Sequence, residues 1–213
     1  MAFLFPKIYP ILDSSFIPAA GRAEFLLRLG GSLTEAGVTL LEYRNKTGSE
    51  TELLADARIL RAAMPPGWVK LILDDRADLV DLVGFDGVHV DAGDTTPAEA
   101  RSLLGAEMMV GTFGGGESLL PGILDEPADY FAVGPAFTTT TKQTGAAPIG
   151  VDGVRRLRAE AGPGPVLTAA AGITLETAAL VLAAGANTVA VAAALFSTEN
   201  PALEFKRWMN VLA

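Results

Sequence analysis

The sequence predicts an α/β protein built as a single (β/α)8 TIM barrel spanning residues 1–213, and three observations carry that expectation. Short apolar runs bounded by Gly, Asp or Pro alternate with longer stretches in which Leu and Ala recur at helical spacing, the pattern of repeated strand–helix units. There are eight runs and eight helical stretches, as a closed barrel requires. The first run leads into Asp13-Ser14-Ser15-Phe16, which lacks the glycine fingerprint that opens a doubly wound nucleotide-binding sheet.

In chain order the expected strands are Lys7 to Leu12, Thr39 to Tyr43, Val69 to Leu73, Gly87 to Val90, Met108 to Thr112, Tyr130 to Val133, Val166 to Ala170 and Thr188 to Ala192. The helical spacing falls between them, over Ala20 to Ala36, Glu50 to Ala63, Ala77 to Val83, Pro97 to Leu104, Ser118 to Leu124, Asp152 to Ala161, Leu175 to Ala184 and Pro201 to Leu212. No linker, low-complexity tract or domain boundary interrupts the series. Pro135 to Gly150 is the longest irregular segment, and a long Thr-rich loop after a strand is a functional candidate.

Composition narrows the function. A chain of 213 residues with 50% hydrophobic content can bury one substantial core. A formal charge of −9 and a pI near 4.6 argue against gripping nucleic acid, because that task rests on clustered Lys and Arg. With no cysteine there is no disulfide, thiolate metal site or cysteine nucleophile. The first residues carry no basic segment and Pro6 interrupts their apolar run, so they do not read as a signal peptide and the expected location is cytoplasmic. No apolar stretch reaches the roughly 18 residues of a membrane span. A homodimer is compatible with the sequence, which leaves the assembly state open.

In a barrel of this kind the active site lies at the carboxyl ends of the strands, which singles out the polar residues there. Arg44 and Lys46 alternate, so two cations share one face of the chain leaving the second strand. Asp74 and Asp94 end neighbouring strands, where two carboxylates suit one Mg2+ that keeps water and substrate phosphate as its other ligands. Turn and helix-cap roles are the alternative for both, and Asp75 reads as the cap of the helix that follows. Thr138-Thr139-Thr140-Thr141-Lys142 offers hydroxyls, backbone donors and one ammonium to phosphate oxygens. Gly172, after the seventh strand, permits close backbone approach, or serves as a plain turn glycine. His89 is the only histidine, and a buried structural role competes with an acid or base role.

Together these residues resemble a known family. Leu41-Glu42-Tyr43-Arg44-Asn45-Lys46, Leu73-Asp74-Asp75-Arg76, Asp86-Gly87-Val88-His89 with Asp94, Ala128-Asp129-Tyr130, Gly134-Pro135, Thr139-Thr140-Thr141-Lys142 and Ala171-Gly172-Ile173 occur in the order seen in thiamine phosphate synthases, from Tyr9 to Phe196. The resemblance implies joining of hydroxymethylpyrimidine diphosphate to hydroxyethylthiazole phosphate, with release of pyrophosphate. It implies Mg2+ at Asp74 and Asp94, and pyrophosphate on Arg44, Lys46 and Lys142. The thiazole phosphate would fall to Thr139, Thr141 and Gly172, and Glu42, Tyr43, Asn45, Leu73, Phe113, Thr140, Ala192 and Ala193 would complete the substrate contacts.

Departures from the family pattern cluster around the pyrimidine. The family usually has Gln at Glu42, Asn at Leu73, Ser at Phe113, a Gly-Gln-Glu-Asp run at Asp91-Ala92-Gly93-Asp94, and Gly at Ala171. Glu42 would then accept a hydrogen bond from the pyrimidine amino group. The related thiazole tautomerase is the alternative enzyme, but it leaves Asp74, Asp94 and Lys142 without a task. A phosphate-ligand-binding barrel without turnover is the non-enzyme alternative. A Schiff-base aldolase fits poorly, because the only strand lysines, Lys7 and Lys70, begin their strands.

Overall fold

A computed structural model describes residues 3–91, 95–139 and 146–213. Its strands are β1 (Ile8–Asp13), β2 (Leu40–Arg44), β3 (Lys70–Asp74), β4 (Gly87–Val90), β5 (Met109–Gly115), β6 (Tyr130–Val133), β7 (Leu167–Ala170) and β8 (Thr188–Val191). All pair in parallel in sequence order, and β8 returns to β1 to close the barrel. The helices are α1 (Arg22–Glu35), α2 (Glu50–Ala63), α3 (Val80–Val83), α4 (Pro97–Leu104), α5 (Gly150–Ala161), α6 (Leu175–Ala183), α7 (Ala193–Phe196) and α8 (Pro201–Leu212). No helix among the described residues is long and apolar enough to cross a membrane.

Eight apolar runs read from the sequence are the eight strands. The helix expected over Ser118 to Leu124 is absent and a single 3-10 turn, Ile123–Asp125, stands in its place. Pro121 removes a helical donor and Gly122 takes a left-handed φ of 72°, so helical spacing of Leu residues is overridden by backbone chemistry. The short α7 was not expected, because four residues carry no periodicity. Clear local signals hold elsewhere: Ser49 caps α2, and Thr96 with Glu99 forms a reciprocal capping box ahead of Pro97 in α4.

Alternation along the strands separates two cores. Outward side chains such as Ile8, Leu12, Leu41, Leu71, Val88 and Val110 pack under the helices. Inward side chains Tyr9, Leu40, Ile72, Met109 and Tyr130 fill the lower barrel, and Phe3 and Phe5 of the N-terminal arm pack against them. The Phe5 ring meets Tyr130 edge-on at 5.5 Å between centroids. The lower barrel is therefore plugged, and only its upper end admits a ligand.

Tyr130 fits because its register partner on β5 is Gly111. A Cβ at Gly111 would lie 2.0 Å from Cζ of the Tyr130 ring. Gly111→Ala is accordingly expected to destabilise the protein by about 1–3 kcal/mol, seen as a lower urea midpoint at unchanged m value. An unchanged midpoint would mean that Tyr130 has room to move.

Candidate active site

The carboxyl ends of the strands open into a cavity of about 590 Å3. One wall carries charge: Asp13 from β1, Glu42 and Arg44 from β2, Asp74 from β3, His89 from β4 and Asp91 just after it. The opposite wall is built from small or apolar groups, among them Phe113, Ala132, Thr168, Ala170 and Ala190. Its rim is formed by Thr138 and Thr139 after β6, Ala171 to Thr174 after β7, and Ala192 to Ala194 after β8.

Acid outnumbers base among the described residues of the charged wall, and Lys46 stands beside that wall, outside the cavity lining. Arg44 pairs with Asp13, and its Nε lies 3.6 Å from Asp74 Oδ2. Lys46 Nζ is 3.1 Å from the same Asp74 oxygen and also pairs with Asp75. Neither approach makes a hydrogen bond to Asp74 Oδ2, and Asp74 Oδ2 and Asp75 Oδ1 are both buried without a hydrogen-bond partner among the described residues. Carboxylate oxygens of Asp74, Asp75 and Asp91 lie within 4.8 Å of one another. An all-oxygen set with unused lone pairs suits a hard divalent cation.

Asp75 does not cap a helix. Its φ is 63°, in the left-handed region, and the 3-10 turn at Ala77–Leu79 begins after Arg76 with no side-chain cap. That backbone turn directs the Asp75 carboxylate back to Lys46. Asp13 was not singled out in the sequence. Burial pushes its carboxyl up, but hydrogen bonds from the Ser15 hydroxyl and amide and the Arg44 charge outweigh this and hold it below the ordinary range.

Strand parity corrects two expected substrate contacts. Tyr43 and Leu73 occupy outward positions, and their buried side chains belong to the core beneath the helices. The Tyr43 hydroxyl donates to Asp56, which Arg22 holds from α1. Asn45 is also absent from the cavity wall. Its amide donates to Glu52 Oε1 and Tyr43 Oη, while its carbonyl accepts from Ser14 and the Gly48 amide. Asn45 therefore fixes the loop that carries Lys46. Asp94, Thr140, Thr141 and Lys142 lie outside the described residues.

The cavity floor is a chain of buried polar groups. Tyr9 Oη donates to Glu42 Oε2 at 2.9 Å, lies 2.9 Å from Tyr130 Oη, and that hydroxyl lies 3.1 Å from His89 Nδ1. His89 stacks on Tyr130 with centroids 5.5 Å apart, so it is built into the floor as a buried residue. Burial, reinforced by the nearby Asp74 and Asp91 charges, pushes the Glu42 carboxyl up to about 8. The same burial, with Glu42 beside them, raises both tyrosines well above their usual value.

The opposite rim depends on two residues in the left-handed region, Ala171 (φ 72°) and Gly172 (φ 67°). The Phe137 amide donates to the Ala171 carbonyl, tying the loop after β6 to the loop after β7. A Cβ on Gly172 would lie 2.5 Å from the Thr138 carbonyl oxygen, so only glycine fits there. Beyond β8 the chain turns at Ala192 into α7, which gives this rim the short extra helix that barrels of this class use beside a phosphate. Phe16 and Phe196 stack at 6.2 Å and join the loop after β1 to α7.

A closed parallel barrel whose strand ends carry Arg44 and clustered carboxylates opposite a rim shaped by Gly172 has the architecture of a barrel enzyme. Residues 8–195 match the family described as Thiamine monophosphate synthase, and the chain belongs to that family. It is 40% identical over 190 residues to the thiamine-phosphate synthase of Koribacter versatilis (strain Ellin345), covering 89% of each chain. It is 35% identical over 197 residues to that of Agrobacterium fabrum, covering 91% of this chain and 88% of that one. The solved thiamine phosphate pyrophosphorylase of Pyrococcus furiosus superposes with a TM-score of 0.75 over 97% of this chain and 95% of that one; at 22% identity it speaks to the fold.

Two stability outcomes follow from the site. Glu42 titrates at about 8 when folded against an ordinary 4.5, so between those values the native state binds more protons than the unfolded one. Its contribution is full below about pH 4.5 and is lost as pH rises to about 8. Glu42→Gln should therefore gain stability relative to the parent protein on going from pH 5 to pH 9, by on the order of a few kcal/mol in urea unfolding; parallel curves would contradict a buried neutral acid. Ala171→Gly should raise Tm, since relief of a left-handed alanine, about 1–2 kcal/mol, exceeds the added unfolded-state entropy of glycine, about 0.5–1 kcal/mol.

Proposed function

We propose that the chain, acting as one domain, is a thiamine-phosphate synthase that joins hydroxymethylpyrimidine diphosphate to hydroxyethylthiazole phosphate, giving thiamine monophosphate and pyrophosphate. The observation that carries this reading is the two-sided cavity, in which Arg44 and clustered acids, with Lys46 paired to Asp74 just outside the lining, stand opposite the glycine-dependent rim at Gly172. A single-anion reaction such as thiazole tautomerisation leaves the charged wall without a task. Family membership at 40% identity agrees with the synthase reading.

In this mechanism the bond between the pyrimidine methylene and the diphosphate oxygen breaks, and pyrophosphate leaves with the electron pair. The carbocation left on the methylene is stabilised by the electron-rich ring and captured by the lone pair of the thiazole nitrogen, which forms the new C–N bond. Such a step needs leaving-group neutralisation and positioning more than a general base. Arg44 and Lys46 supply fixed positive charge to the departing pyrophosphate, and Lys142 is assigned the same task. Thr139, Thr140, Thr141 and Gly172, with Ala192 and Ala193, hold the thiazole phosphate, while Glu42 and Phe113 border the pyrimidine. Asp74 and Asp94 would hold Mg2+, and Asp75 and Asp91 add oxygen donors close to Asp74. Bound there, Mg2+ supplies charge neutralisation to the phosphate oxygens. The expected partners are phosphorylated small molecules, without nucleic acid or membrane, in a cytoplasmic protein compatible with a homodimer.

Incubation with both substrates and Mg2+, read as thiamine phosphate by oxidation to fluorescent thiochrome, tests the reading directly. Product is expected, and its absence with the thiazole phosphate still bound would overturn it. Arg44→Ala or Lys46→Ala should lower kcat by about 100-fold or more. By calorimetry, Mg2+ should strengthen pyrophosphate binding in the parent protein and lose that effect in Asp74→Ala; binding indifferent to Mg2+ in both would remove the metal from the reading.

A further inference from the structure

Thr168 lies on the inward face of β7, lines the cavity, and is 1% exposed. Its hydroxyl has no hydrogen-bond partner among the described residues. Burial without a partner is costly for a hydroxyl, and an unused buried donor at the wall of a binding cavity marks where a ligand atom completes the bond. The neighbouring strands offer no substitute. In register, Thr168 stands beside Ala132 on β6 and Thr188 on β8. Ala132 carries no polar side-chain atom, and the Thr188 hydroxyl is itself buried with no hydrogen-bond partner among the described residues, so the two threonines do not satisfy each other.

The space above Thr168 suits a flat ring. One pleat nearer the mouth, β7 and β8 present only the methyl groups of Ala170 and Ala190 to the cavity. Glu42 lines the same cavity from β2, three strands away around the closed barrel. A planar heterocycle lying between them would rest on alanine methyls with polar groups at two of its edges.

Given the proposed synthase reaction, on which this step rests, the two rings are chemically distinguishable. The thiazole has one ring nitrogen, and that nitrogen must point at the pyrimidine methylene to form the new bond. It is therefore not available to a hydroxyl in the wall. The aminopyrimidine carries ring nitrogens and an exocyclic amine on edges that do not react. We infer that Thr168 is a specificity-determining residue, its hydroxyl completing a hydrogen bond to the edge of the aminopyrimidine ring opposite Glu42.

Thr168→Val removes the hydroxyl at constant shape and Thr168→Ser keeps it. With Thr168→Val, the KM for hydroxymethylpyrimidine diphosphate should rise about tenfold, the size of one lost hydrogen bond. The KM for the thiazole phosphate should stay within about twofold, and the Tm of the unliganded protein should hold or rise, because no internal bond is lost. Thr168→Ser should recover most of the pyrimidine affinity. An unchanged pyrimidine KM in Thr168→Val would overturn the inference, as would a rise confined to the thiazole phosphate, or a lowered Tm with both KM values shifted together. Turnover by the parent protein reports separately on the proposed function. Turnover with no difference between parent and Thr168→Val would sink the hydroxyl's role alone, and no turnover with no calorimetric binding of the pyrimidine diphosphate would sink both.

Discussion

Buried charge must be matched, and among the described residues of the upper barrel the match is incomplete at Asp74 and Asp75. Asp13, Glu42, Asp74, Asp75 and Asp91 share this region with two fixed cations among the described residues, Arg44 and Lys46. Leaving several carboxylates ionised and unpaired in a partly closed cavity would be prohibitive. The excess is resolved in three ways. Asp13 is held ionised by Ser15 and Arg44. Glu42, the deepest, is pushed toward neutrality. Asp74 and Asp75 share one ammonium and keep unused lone pairs. Among the described residues the last arrangement is the incomplete one, and it lies at the strand ends that open into the cavity.

The rest of the architecture supports that arrangement. The lower barrel is plugged by aromatic rings from β1, β6 and the N-terminal arm, which leaves the upper end as the entrance. Tyr9 and Tyr130 belong to both layers, since their rings pack in the apolar plug while their hydroxyls join the polar floor. Outside the barrel, Arg22, Asp56, Tyr43 and Asn45 connect α1 and α2 to the loop that carries Lys46. The cation is thus held at the rim by a buried network beneath the helices, beyond the reach of any ligand in the cavity.

Much of the fold was legible because strand count and apolar boundaries are local properties. Position at a strand end was legible for the same reason, and it is what places Arg44, Asp74 and Gly172 on the cavity lining. The illegible parts depend on backbone geometry or register. Tyr43 and Leu73 neighbour site residues in sequence but face the other way, and a one-residue parity error reverses a side chain. Asp75 resembled a cap because Asp commonly caps, whereas its left-handed backbone turns it to Lys46. Asp13 and Thr168 gave no signal, since a single Asp or Thr at a strand end is ordinary until the closed barrel brings the opposite wall into view. The Leu spacing of Ser118 to Leu124 misled because Pro121 and Gly122 outweigh it.

Glu42 illustrates how environment alters what a residue type means. Family resemblance puts glutamine at this position, and an ionised glutamate would offer acceptors only, beside two further carboxylates. Burial in the floor changes that comparison. A neutral carboxyl presents one hydroxyl donor and one carbonyl acceptor side by side, the same pair that an amide presents. With Tyr9 donating to Oε2, the remaining oxygen faces a cavity in which Asp74 and Asp91 oppose ionisation. The departure in sequence is therefore smaller in chemistry than in charge. What differs is the condition: an amide keeps its donor at every pH, whereas the donor of Glu42 lasts only while burial, aided by the surrounding acids, keeps it protonated. Burial thus sets the hydrogen-bonding character of the floor, and the carboxylates that suit one wall to a cation reinforce it.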